Sequence, residues 1–225
     1  MKGERTSKLI LGTLVLLAVL LNSAGAATVQ YDATPIPPTK TDWVGLLISL
    51  PQFNPALGTL TAVEVTFESA VVGEVGVENL ADVTSDVDLS LSAVTEFRRG
   101  ATLVLTLNPS HAETKSLPAH DGNLDWGGTS GAIYAGFTGT DSDTYVPAVL
   151  ADWIGVSTVD FTVSATATSQ TNGTGNIASY YKTNADAKAA VKYTYIPEPA
   201  SLLAFSAGLI GTFGAAARRR RQQGR

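Results

Sequence analysis

The sequence predicts an all-β protein, an antiparallel β-sandwich of jelly-roll-like type held between two apolar terminal segments. Three observations predict it. Apolar and polar residues alternate with a period of two in stretch after stretch, turn-forming dipeptides separate those stretches, and helical periodicity is nearly absent away from the ends. The period is informative because successive side chains on a strand point to opposite faces, so each alternating stretch offers one face to a core and the other to water.

At the start of the chain, Lys2, Arg5 and Lys8 precede an apolar run over 9–21, and Ser23, Ala24, Gly25, Ala26 and Ala27 follow. A basic end, a short apolar run and small residues make a secretory signal peptide, assigned to residues 1–26. Ala24 and Ala26 take the small-residue positions of the cleavage site, with the cut after Ala26 or one residue later. The partners this implies are the secretory translocon and signal peptidase. Residues 27–196 then form an exported domain long enough to build a core of its own.

Within it, residues 34–39 carry three prolines and read as an extended lead-in rather than a central strand. Strands are then expected where Val63, Val65 and Phe67 alternate with Glu64, Thr66 and Glu68, and where Val87, Leu89 and Leu91 alternate with Asp86, Asp88 and Ser90. They are expected again at Leu103, Leu105 and Leu107, at Val159, Phe161, Val163, Ala165 and Ala167, and at Val191, Tyr193 and Tyr195. Further strands near 43–50, 71–79 and 133–137 bring the total to eight or nine. Turns are predicted at Asn54-Pro55, Arg99-Gly100, Asn108-Pro109, Asp121-Gly122, Gly127-Gly128 and Asn172-Gly173. Residues 108–131 hold both histidines and show no alternation, so they read as a long loop. No helix longer than two turns is expected between the terminal segments.

The C-terminal end has three parts: Pro197, Glu198 and Pro199, then an uncharged stretch over 200–217, then Arg218, Arg219, Arg220 and Arg221. Eighteen helical residues reach about 27 Å, close to the hydrocarbon thickness of a bilayer. Gly208, Gly211 and Gly214 weaken a soluble helix and are tolerated in a membrane, so 200–217 reads as a transmembrane helix. The arginines stay cytoplasmic with residues 222–225, which leaves the Pro-Glu-Pro side facing outward. This arrangement closely resembles the PEP-CTERM sorting signal, recognised by exosortase, a membrane-embedded peptidase. The resemblance covers residues 197–221 and implies that Pro197, Glu198 and Pro199, with the basic end Arg218 to Arg221, are the elements read during sorting. It implies an inner-membrane precursor that is processed and delivered to the cell surface or the extracellular matrix.

The domain ahead of that tail also carries a resemblance. Trp43-Val44-Gly45, the run Phe53-Asn54-Pro55-Ala56-Leu57-Gly58-Thr59-Leu60, Glu78-Asn79 and the closing strand at 191–195 are similar to the choice-of-anchor E domain, a module attached to alternative C-terminal sorting signals. The resemblance spans most of residues 30–195. It implies a surface module and supplies no activity; Gly58 reads as a left-handed turn residue and Phe53 as a core side chain.

Charge narrows the partners. Between residues 27 and 196 there are seven Lys or Arg against eighteen Asp or Glu, a net charge of −11, although the whole chain carries only −5 because its basic residues gather at the ends. An acidic domain repels phosphate backbones, which argues against nucleic acid. The chain has no cysteine, so thiol catalysis and thiolate metal sites are excluded.

Catalytic parts are scarce. His111 and His120 are the only imidazoles, and Gly128-Thr129-Ser130-Gly131 lacks the spacing of a nucleophile elbow. The acids are numerous, but most alternate outward on strands, as solvated faces do. Asp121, Asn123 and Asp125 place three oxygen side chains at odd positions of one loop, a pattern suited to calcium, although Trp126 stands where an EF-hand needs glycine. Asp141 and Asp143 form a second acidic cluster. Trp126, Tyr134, Tyr145 and the pair Tyr180-Tyr181 offer aromatic platforms, and Asn172-Gly173-Thr174 fits a glycosylation acceptor. The expectation is a non-catalytic surface or matrix module associated with exopolysaccharide in a biofilm, needing no cofactor except calcium at that loop. The alternative is a secreted hydrolase of glycans or peptides.

Overall fold

The computed structural model describes residues 25–198. They divide into two compact units, the larger drawn from 29–54 and 62–193, the smaller from residues up to 28, from 55–61 and from 194 onward. Eleven strands run in chain order: β1 (Ala27–Asp32), β2 (Ile36–Lys40), β3 (Trp43–Pro51), β4 (Gly58–Asn79), β5 (Ser85–Arg99), β6 (Thr102–Leu107), β7 (Ser110–Leu117), β8 (Gly131–Tyr145), β9 (Thr158–Ala167), β10 (Gln170–Gly173) and β11 (Ile177–Pro197). The only helices among the described residues are 3₁₀ turns at Pro55–Leu57 and Ala151–Trp153. None of the described residues lies in a helix able to cross a membrane. The expected signal peptide up to Ala24 and the expected helix over 200–217 lie outside the described residues, as do Pro199 and Arg218 to Arg221.

The strands form two sheets. One runs β1-β11-β4-β8, with β2 also pairing β11; the other runs β10-β5-β9-β3, with β6 and β7 also pairing β5. Every pairing whose register is defined is antiparallel. On β5 the two flanks are interrupted at the same height. β6 and β7 follow one after the other along one edge, broken at Asn108-Pro109, where the Pro109 carbonyl accepts from the Ala93 amide. β9 and β10 follow along the other, broken beside Ser92, whose carbonyl accepts from the Thr168 amide. Proline cannot donate to a ladder, which accounts for the first break.

Inside the larger unit, alternation does what the sequence predicts. Phe67 from one sheet meets Phe97 and Phe161 from the other at ring separations of 4.4 and 5.1 Å, and all three are fully buried. Trp153 and Tyr193 extend the cluster, each about 6 Å from its ring neighbours, and Phe53 joins it against Tyr193. The Tyr193 hydroxyl donates to the Pro51 carbonyl at 2.6 Å, and burial pushes its phenol above the ordinary tyrosine range.

Three expectations are corrected. Residues 71–79 are no separate strand: with 58–70 they make the single strand β4, bent by a register shift at Gly73/Glu74. Residues 110–117 are a strand and no loop; its inner face carries His111, Glu113 and Lys115 before it reaches Leu117, so a single apolar residue marks the period of two. Asn172-Gly173 is no turn, since both residues pair with Asp88 and Val87 in β10. Glu78 departs from the outward majority of the acids, being 0% exposed.

In the smaller unit, Thr61 Oγ1 donates to the Thr194 carbonyl at 2.9 Å. Gly58 has φ +142°, and a Cβ there would stand 2.1 Å from the Ile196 carbonyl oxygen, so close backbone approach requires glycine.

Candidate functional site

β4 ends in a carboxylate followed by a carboxamide, Glu78 and Asn79, and both side chains are buried. A buried polar group without partners costs about 1–3 kcal/mol, so their hydrogen bonds decide what they do. Asn79 Nδ2 donates to the carbonyls of Val83, Leu117 and Pro118 at 2.8, 3.2 and 2.7 Å, and Oδ1 accepts from the Ala81 amide at 3.0 Å. One side chain thus ties together the chain leaving β4 and the chain leaving β7. Glu78 Oε2 accepts from the Trp126 amide at 2.9 Å, and Oε1 accepts from Ser130 Oγ at 2.5 Å. A Cβ on Gly131 would fall 2.0 Å from Glu78 Oε2, so the absence of a side chain there leaves room for the carboxylate.

The loop between β7 and β8 closes over this pair. The Asp121 amide donates to Ser130 Oγ at 3.2 Å, and the His120 amide donates to the Ala81 carbonyl at 2.8 Å. Asp121 Oδ1 accepts from the Asn123 amide and Oδ2 from the Thr129 amide, both at 3.1 Å, while Asp125 Oδ1 accepts from the Gly127 amide at 2.8 Å. Amide donors from Asn123, Thr129 and Ser130, with His120 adding to them, hold the Asp121 carboxyl below its ordinary range. Asp121 and Asp125 are therefore each bonded to amides of their own loop. The neighbours that Asp121 meets at ligand distance are different: one ligand atom each from Glu78, His120 and Asp121 lie within 4.8 Å of one another. Neither Glu78 nor His120 stands out in the sequence as a partner of Asp121, because they precede it by 43 positions and by 1, and no spacing rule joins the three.

Trp126 takes φ +61°, the left-handed conformation that an EF-hand loop reserves for glycine. Such a backbone costs a bulky residue about 1–2 kcal/mol and persists only where its surroundings fix it. Here the Glu78 carboxylate fixes the amide, and the indole stands edge-on to Tyr180 with ring centres 5.0 Å apart. Tyr180 lies over Gly76, where a Cβ would come 2.0 Å from the ring, and its hydroxyl donates to Glu74, itself ion-paired with Lys182 at 2.6 Å.

The other sequence-derived residues fall elsewhere. His111 lies tilted against Phe137 with ring centres 4.6 Å apart and Nε2 3.4 Å from Glu113, and Glu113 also pairs with Lys115, whose ammonium sits 4.8 Å over the Tyr134 ring. Tyr181 shares a hydrogen bond with Thr171, and Tyr145 is half-buried at the end of β8. Asp141 and Asp143 lie in β8; Asp141 accepts from the amides of Asn108 and Ser142, and Asp143 from that of Thr144. Pro197 and Glu198 close the described chain.

The class so defined is an antiparallel all-β module that ends in a separate C-terminal address. That address matches a family model: residues 196–221 fit the PEP-CTERM protein-sorting motif. The chain is an exported protein targeted to exosortase and sorted to the cell surface. No curated protein matches it. Among solved structures it is similar to infectious bursal disease virus of the Gx strain, at 10% identity over 79% of this chain and 42% of that one, with a TM-score of 0.14. The VP2 subviral particle of the same virus matches at 11% identity over 79% and 43%, again with a TM-score of 0.14. The chain spans less than half the length of these solved chains, and overlaps so slight transfer neither fold nor role to it.

Proposed function

We propose that this chain is a non-catalytic structural or adhesive module, exported through the secretory route, held in the inner membrane as a precursor, and released by exosortase to the cell surface or an exopolysaccharide matrix. The observation that carries the reading is the sorting motif at residues 196–221. The strand order supports a jelly roll: β1 with β2, β11, β4 and β8 in one sheet and β3, β9, β5 and the broken strand β6–β7 in the other, the chain crossing between sheets as it proceeds. The resemblance of Trp43-Val44-Gly45, the run Phe53 to Leu60 and Glu78-Asn79 to the choice-of-anchor E domain supports that family over most of 30–195. Against the hydrolase reading, Ser130 gives its hydroxyl proton to Glu78, where a triad would need it aimed at an imidazole.

The decisive experiment is Glu198→Ala in a cell that possesses exosortase. Full-length precursor should accumulate in the inner membrane, while wild-type mature protein should lack residues 200–221 in a peptide map. A mature wild-type protein that retains them makes the tail a permanent anchor and ends the processing claim. Glycan-array binding without turnover in a hydrolase screen supports the adhesive role; turnover abolished by His111→Ala or by one carboxylate substitution overturns it.

A further inference from the structure

We propose that Glu78, His120 and Asp121 bind a divalent transition cation of zinc type. The three ligand atoms come from two places in the chain, the end of β4 and the start of the loop after β7, and lie within 4.8 Å of one another. Ligands of one tetrahedral ion at about 2.1 Å stand roughly 3.4 Å apart, so binding draws them in by about an ångström or less each.

Two further observations separate this group from an ordinary acidic loop. His120 Nδ1 is sealed from solvent and has no hydrogen-bond partner. A ligating imidazole nitrogen needs a lone pair with no competing hydrogen-bond partner, and Nδ1 has no such partner; a buried polar nitrogen without one is a standing cost. The carboxylates, for their part, are already oriented from outside the group: Trp126 and Ser130 donate to Glu78, and Asn123 and Thr129 donate to Asp121. Each carboxylate oxygen has a second lone pair, so these bonds leave a ligand position and act as the supporting hydrogen bonds that metal-binding side chains require.

The donor set selects the ion. Calcium and magnesium take oxygen ligands, six or more of them, whereas one imidazole with two carboxylates suits zinc and its neighbours in the first transition row. Three protein ligands leave one position of a tetrahedron open, filled by water or by an oxygen of a partner molecule. Asp125 lies outside the group, so the site differs from an oxygen-only loop built on Asp121, Asn123 and Asp125.

The test uses the full chain in mild detergent, stripped with a chelator and titrated with zinc chloride, with cobalt chloride as the coloured substitute. One zinc per chain should bind, cobalt should give visible bands of a nitrogen–oxygen site, and the unfolding midpoint should rise. His120→Ala should weaken zinc at least tenfold while keeping the apo midpoint near wild type; Asp125→Asn should bind zinc as wild type does. Because Glu78→Gln can fail to fold, His120→Ala carries the result. Wild-type affinity in His120→Ala overturns the proposal, as does the absence of any zinc effect in the wild type, or a midpoint that calcium raises and zinc leaves unchanged.

Discussion

Two parts of the larger unit's interior are built on opposite principles. Around Phe67, Phe97, Phe161, Trp153 and Tyr193 the two sheets meet through aromatic rings, and cohesion is hydrophobic and shape-based. Around Glu78, Asn79 and Ser130 the interior is polar, and nearly every atom is accounted for by a named hydrogen bond. The first tolerates small displacements because dispersion is spread over many contacts. The second does not, since one lost partner leaves a buried group bare. An aromatic core can hold the sheets together, whereas only the directional network can hold a loop without regular structure in one conformation.

The largest effect should come from the aromatic part. Phe67→Ala removes the ring that meets both Phe97 and Phe161 and should cost about 3–5 kcal/mol in denaturant unfolding, with a global loss of hydrogen-exchange protection. A cost under 1 kcal/mol would erase the contrast by showing that the core collapses into the gap. Asn79→Ala should cost less, roughly 2–3 kcal/mol, and act locally. Amides of residues 118–130 should exchange faster while those of β9 stay protected; uniform acceleration would make the two parts one cooperative body.

The same contrast explains what the sequence reveals and what it hides. The alternating stretches of β5, β9 and β11 are apolar on the inner face, so Leu89, Phe161 or Tyr193 announce themselves in the sequence. β7 has the same geometry and stays hidden, because His111, Glu113 and Lys115 precede Leu117 on its inner face and leave one apolar residue to mark it. Glu78 misleads for the complementary reason: a carboxylate is expected outside, and its burial rests on Trp126 and Ser130, 48 and 52 positions away. The sorting tail is legible because its signal is local, a run of residues whose order alone carries the meaning. The Glu78, His120 and Asp121 group is the reverse case, existing only after β4 and β7 are in place.

Two smaller tests sharpen the boundary between the parts. At Gly139 a Cβ would stand 2.1 Å from the Ser110 carbonyl oxygen, so Gly139→Ala should cost roughly 1–3 kcal/mol by forcing β7 away from β8. An unchanged midpoint would mean that β7 can shift freely. The smallest effect belongs to Glu113. A hydrogen bond from Lys115 holds its carboxyl below the ordinary range, His111 adding to it, and the same bond raises the Lys115 ammonium. A lowered carboxyl adds stability that is present above its unfolded value and is lost as pH falls through the folded one, below about pH 4. The raised lysine contributes below its unfolded value and loses that contribution as pH climbs past about 10.5. Glu113→Gln should therefore flatten both limbs of the midpoint–pH curve slightly and leave neutral pH almost unchanged, more visibly at low salt.

The strand that leads into the tail has a mechanical consequence. β11 runs for 21 residues, with β1 and β2 on one side and β4 on the other, and its last residue, Pro197, is followed at once by Glu198. Tension applied at that end is directed along a central strand, parallel to its axis and across its ladders. The load is then shared by many hydrogen bonds in shear, which must yield together, whereas peeling an edge strand would break them one at a time. A pull on that end therefore meets the sheet in the direction in which its hydrogen bonds must yield together.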